Sequence, residues 1–273
     1  MPKYWFCLLL TVNSYYCFSQ HEVHVLIKYL PAHTYTLNSD QITNINFDFT
    51  GNWDSLTSPP GTGKPIRKTV VSQTEAITNT GAFYNDSLFP VRTEITKMNT
   101  ADGKTPIPVG SAIYSTFSKS GNVTIDSLSS ENMEPELKEK LLPFLKSLIQ
   151  GVTIPEYTLK EGESFIFPTP LKMPVAGMTI NMTINSVYTL KYASQDVAYF
   201  DIVQTYTMNS ESASLPVTAT GSGSGSFSYD IKNNYFTKYE IKSNIGMTFD
   251  TNGKGIKMTS ETTQIQNVKI ASN

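Results

Sequence analysis

Along residues 178–192 apolar and polar side chains alternate. Met178, Ile180, Met182, Ile184, Tyr188, Leu190 and Tyr192 fall in one phase, interrupted by Ser186. Thr179, Asn181, Thr183, Asn185, Thr189 and Lys191 fall in the other, where Val187 is the apolar exception. A period of two puts one set on each face of a β-strand. Fifteen residues of strand rise about 50 Å, far more than an ordinary strand. The pattern returns over 235–249, so the chain is expected to build a large antiparallel sheet with one dry and one wet face.

Further strands are expected at 23–29, ended by Pro31, near Tyr35, at 45–49, and at 66–78, 82–98 and 111–117. Asp102-Gly103 and Ser120-Gly121-Asn122 read as turns. After the midpoint come 158–168, the strand at 178–192, 198–208, 218–231, 235–249 and 255–270, with Asn252-Gly253 as a hairpin signal before the last. The run Gly221-Ser222-Gly223-Ser224-Gly225-Ser226 has the composition of a linker. Phe227, Tyr229 and Ile231 continue the phase of its glycines, which favours a glycine-rich strand able to bend or to admit a close neighbour.

One helix breaks the series. Leu137, Leu141, Phe144, Leu145 and Leu148 recur at helical spacing while Lys138, Glu139, Lys140, Lys146 and Ser147 face away. Ser130 or Asn132 can cap its start, Pro135 suits the first turn, Pro143 kinks it, and Gly151 ends it. An amphipathic helix between two blocks of strands is expected to lie across the sheet as a cover. The stretches 29–35 and 159–165 share a strand–turn–strand start with an aromatic residue at the end. Residues 20–273 thus read as one β-rich domain, divisible into two similar halves (20–130 and 152–273) joined by the helix at 133–150.

The first 19 residues have the layout of a secretory signal. Lys3 gives the positive start, 4–12 is a short apolar run, and Cys17 and Ser19 suit a cleavage site. A run this short cannot span a bilayer, and Tyr15 and Tyr16 before Cys17 argue against lipidation there. Both cysteines lie within this segment, so the mature chain would have no disulfide, thiolate metal site or cysteine nucleophile. The expected location is exported: periplasmic, envelope-associated or extracellular. No later segment resembles a transmembrane helix. Net charge is −2 and charged residues make up 16 % of the chain, without the basic stripe of a nucleic-acid binder.

Catalytic motifs are scarce. Residues 58–65 approach a phosphate-binding loop, but Ser58 replaces its first glycine and Pro65 its Mg²⁺-binding hydroxyl. His21 and His24 would face opposite sides of a strand, and His33 has no Gly-x-Ser-x-Gly partner. Glu161 and Glu163 flank Gly162, and Asp196 and Asp201 lie near a hairpin; either pair would serve a glycosidase only if a cleft set their separation. Of the sequons at Asn85, Asn122 and Asn181, the last falls mid-strand. No enzyme activity, cofactor or metal is expected.

A signal, long alternating strands and a mid-chain helix resemble the envelope lipoprotein carriers and related lipid-binding lipoproteins. That resemblance implies a half-open barrel with a helical lid over an apolar cavity. The segment 156–165, together with the glycine-alternating strand, also resembles an uncharacterised family of secreted Bacteroidetes proteins. The expected fold is therefore mainly β: long antiparallel strands in a curved sheet or incomplete barrel, with one covering amphipathic helix. The expected function is binding of a lipid, lipoprotein acyl chain or other apolar ligand. Met178, Ile180, Met182, Ile184, Tyr188 and Leu190 would line the sheet, and Leu141, Phe144 and Leu148 would face it from the helix. The alternatives are a surface assembly protein with an envelope protein partner and no small ligand, an outer-membrane barrel, and a hydrolase.

Overall fold

A computed structural model describes residues 22–50, 65–100, 107–131, 133–149, 155–175, 178–208, 217–251 and 254–273. The expected signal at 1–19, residues 58–64 of the expected loop, the turns expected at Asp102-Gly103 and Asn252-Gly253, and the helix boundaries expected at Asn132 and Gly151 lie outside these residues.

Thirteen strands are described: β1 (Val23–Val25), β2 (His33–Thr50), β3 (Ile66–Thr80), β4 (Leu88–Thr100), β5 (Ala112–Ser118), β6 (Val123–Ser129), β7 (Tyr157–Leu159), β8 (Ser164–Val175), β9 (Met178–Ala193), β10 (Val197–Met208), β11 (Val217–Asp230), β12 (Tyr235–Thr251) and β13 (Lys254–Ser272). The helix α1 (Pro135–Ile149) contains Pro143 and stands between β6 and β7. Eleven strands form one antiparallel sheet in the order β6-β5-β4-β3-β2-β13-β12-β11-β10-β9-β8. It consists of two meanders joined where the chain's last strand pairs with β2, from Ser272↔His33 to Gly255↔Thr50. The sheet is open between β6 and β8. β1 and β7 form a separate two-stranded ribbon.

The glycine-serine run lies within β11, with Gly221, Gly223 and Gly225 in the phase of the buried Ala219, Phe227 and Tyr229. A Cβ on Gly225 would collide with the Glu240 carbonyl, and one on Gly221 would lie 2.8 Å from the Asn244 oxygen. The missing side chains let the sheet curl tightly at this strand. Cα atoms of β10 and β12 approach within 8 Å across β11, whereas two flat strand spacings would hold them about 9.5 Å apart.

Five expectations change. Tyr35 and residues 45–49 belong to one 18-residue strand, β2. The first strand stops at Val25, and β4 begins only at Leu88. β6, which the sequence pattern did not mark, follows the turn at Gly121 (φ 87°). Tyr192 leaves the face of Tyr188 and Leu190: Leu190 pairs with Phe200 but Tyr192 with Tyr199, so Lys191 is an extra residue. A bulge of this kind reverses the phase beyond it. Tyr192 is accordingly 48 % exposed and stacks on Tyr199 at 4.5 Å.

Candidate binding cavity

The curl gives the sheet an inner face, where the apolar phases of β8–β12 meet. Phe165, Leu190, Phe200, Ile202, Phe227, Tyr229 and Ile241 are buried there, with Val23, Val25 and Leu159 of the small ribbon packed upon them. The rings are ordered. Phe165 stacks on Tyr157 at 4.2 Å and on Tyr188 at 4.9 Å, while Phe227 meets Tyr188 edge-on at 5.8 Å. Offset and edge-on contacts suit the aromatic quadrupole.

Above this floor lies a cavity of about 190 Å³. β8 contributes Phe165 and Phe167, β9 Tyr188, β11 Phe227, β12 Phe236 and Tyr239, and β13 Gln266; Ile27 reaches it from the segment after β1. That segment is tied over one end of the sheet. Leu26 N–H donates to the Tyr229 hydroxyl (3.0 Å), Leu30 N–H to the Tyr35 hydroxyl (2.8 Å), and Lys28 N–H to the Asn234 carbonyl (3.1 Å). Ala32 turns the chain into β2 with a φ of 55°. Tyr29 then packs against Tyr35, Phe117 and Tyr235 at 4.8–5.1 Å.

A polar belt crosses the inner face beyond the cavity. Gln204 donates to Ser186 (3.0 Å) and accepts from the Tyr206 hydroxyl (2.8 Å). Thr43 and Thr262 share a hydrogen bond of 3.1 Å, and Gln41 donates to Thr43 at 3.1 Å. No buried side-chain nitrogen or oxygen among the described residues lacks a partner. Burial raises the Tyr239 pKa, with Tyr188 and Tyr206 adding to the rise, and it raises that of Tyr188 too. Both phenols therefore stay protonated and able to donate. Beyond the belt Met182, Tyr206, Ala219 and Met247 form a second buried cluster, flanked by Ile184, Met208 and Met258.

Of the residues expected to bind ligand, Tyr188 lines the cavity. Leu190 is wholly buried in the cluster that includes Val23, Val25 and Leu159 of the ribbon, and Met182 (2 % exposed) and Ile184 belong to the second cluster. Met178 and Ile180 lie on β9, and Leu141, Phe144 and Leu148 on α1. Leu141 is half-buried; the side chains of Met178, Ile180, Phe144 and Leu148 fall outside the described residues. Among the described contacts α1 lies beside the edge strand β6, and Ile27 of the segment after β1 borders the cavity. Phe165, Phe167, Phe227, Phe236 and Gln266 were not marked as ligand contacts. Their alternation was visible, but their convergence depends on strand order.

The acidic pairs hold turns together. Glu163 accepts from Lys160 N–H at 2.7 Å and Glu161 from Ala193 N–H at 3.2 Å. Asp201 pairs with Lys191 at 3.3 Å on the outer face. His33 Nδ1 lies 2.7 Å from the Pro31 carbonyl. Among the described residues no three His, Cys, Asp or Glu side chains are grouped to hold a metal, and no helix is long and apolar enough to cross a membrane. No family model matches the chain, and no curated protein matches it either.

Proposed function

We propose that this is an exported cell-envelope protein that binds a hydrophobic or amphiphilic ligand, such as a lipid or lipoprotein acyl chain, on the inner face of its open sheet. The observation that supports this reading is the aromatic cavity of about 190 Å³ beneath the Ile27 segment. It exceeds an engineered apolar cavity of about 150 Å³ that admits benzene. The test is native mass spectrometry of protein purified gently from its own host, followed by organic extraction. A discrete adduct of lipid mass is the expected result; bare protein without extractable lipid would leave the inner face as core alone.

An outer-face feature favours a second reading, a structural protein of the cell surface that assembles through its sheet and holds no small ligand. Ile166, Val187 and Val203 align across β8, β9 and β10, and Ile166 and Val203 are 60 % and 56 % exposed. A ligand-free oligomer on size-exclusion chromatography that Val203→Glu disperses would support this reading.

A further inference from the structure

The inner face lacks charge where the cavity lies. In the phase that pairing assigns to it, β8 presents Phe165, Phe167 and Thr169, β10 Phe200, Ile202 and Gln204, and β13 Ser260, Thr262, Gln264 and Gln266. No Asp, Glu, Lys or Arg occurs in this phase on the described parts of β2 and β8–β12, or on β13 from Ile256 onward. On β3 the inner-phase Lys68 stands opposite Ile45, whereas Gln266 stands opposite Ser39. Six residues of strand separate those levels by about 20 Å. The polar side chains among the lining residues are Gln266, Tyr188 and Tyr239, the two phenols also hydrogen-bonding Ser186 and Gln204 of the belt respectively. Uncharged donors and acceptors of this kind satisfy an alcohol, ester or amide. They cannot neutralise an anion, and burying an unpaired carboxylate or phosphate is strongly unfavourable.

We infer that the cavity selects an electrically neutral amphiphile, an alkyl chain bearing one alcohol, ester or amide group, and excludes carboxylates and phosphates from its interior. The chain lies among Phe165, Phe167, Phe227 and Phe236, and its polar group meets Gln266 and Tyr239. This selectivity rests on the reading that the inner face holds an apolar ligand.

The test is calorimetric titration of the mature protein, stripped of extractable lipid, with 1-octanol and with octanoate at neutral pH. Octanol is expected to bind, and octanoate about a hundredfold more weakly or not at all. A Gln266→Lys variant, its fold checked by circular dichroism, should narrow or reverse that preference by supplying a counter-charge. If that variant does not fold, the wild-type comparison still decides. Equal binding of the two probes by the wild-type protein overturns the neutral selectivity and leaves ligand binding intact. Binding of neither overturns the selectivity, and a host-derived lipid adduct would then show whether ligand binding itself survives.

Discussion

Tyr229 shows how much one hydroxyl can organise. It accepts from Leu26 N–H at 3.0 Å and lies 3.1 Å from Asn234 Oδ1, joining the segment over the cavity to the turn between β11 and β12. Tyr229→Phe leaves that N–H without its acceptor and should cost about 1–3 kcal/mol, with amide exchange quickening first at residues 26–30. Unchanged exchange there would mean that backbone contacts alone hold the segment. At Gly225 the constraint is space. Gly225→Ala brings a methyl group against the Glu240 carbonyl and should lower stability by about 1–3 kcal/mol, read from the urea midpoint; a neutral result would contradict the tight curl at β11. The tyrosines also predict a pH response. Burial raises the pKa of Tyr35, Tyr188, Tyr229, Tyr235 and Tyr239 above the ordinary 10.0. The folded chain thus holds these protons more tightly than the unfolded one. Their contribution is fully present below about pH 10 and is lost as pH rises beyond it. Phenolate absorbance should show an exposed set ionising first and a buried set ionising with loss of the sheet. A single wave near pH 10 with the fold intact would refute this.

Among the elements, β8 is informative because it is an edge. Pro168, Pro170 and Pro174 share one parity and pair with Asn185, Thr183 and Thr179 of β9. Proline has no N–H to offer, so a strand that remains paired on one side places such residues where donors would face outward. The free edge is thereby a poor template for another strand. Replacing all three with valine should restore the donors and promote concentration-dependent association, measured by light scattering after size exclusion. No added association would show that the edge is protected by other means. The opposite edge, β6, has seven residues and α1 beside it. Both devices help to keep an eleven-stranded sheet from being extended edge to edge.

At the scale of the molecule, the chain's last strand completes the sheet. β13 bonds along nearly its whole length to β2, so the two meanders become one surface only when the C-terminal segment is present. Deleting 254–273 should abolish cooperative unfolding rather than lower its midpoint, since β2 and β12 would both lose a partner. A truncated chain that still melts cooperatively would show that the meanders fold as separate units. The same joining supports the proposed binding role: Gln266 belongs to β13, whereas the rings opposite it come from β8, β9 and β11.

Alternation by itself was enough to predict long antiparallel strands, the helix at mid-chain and a strand through the glycine-serine run, because a period of two or of 3.6 is a local property. It also placed Met182, Ile184, Tyr188 and Leu190 on one dry face. It could not place Tyr192, since the bulge at Lys191 is defined by the neighbouring strand, nor distinguish β6 from a loop. Which dry residues are core and which line a cavity was decided only in the tertiary structure. Leu190 and Tyr188 are equivalent in pattern, yet one is sealed beneath β1 and β7 while the other faces open space. Strand order, the curl at β11 and the segment tied by Tyr35 and Tyr229 make that difference, and each depends on contacts between residues far apart in the chain.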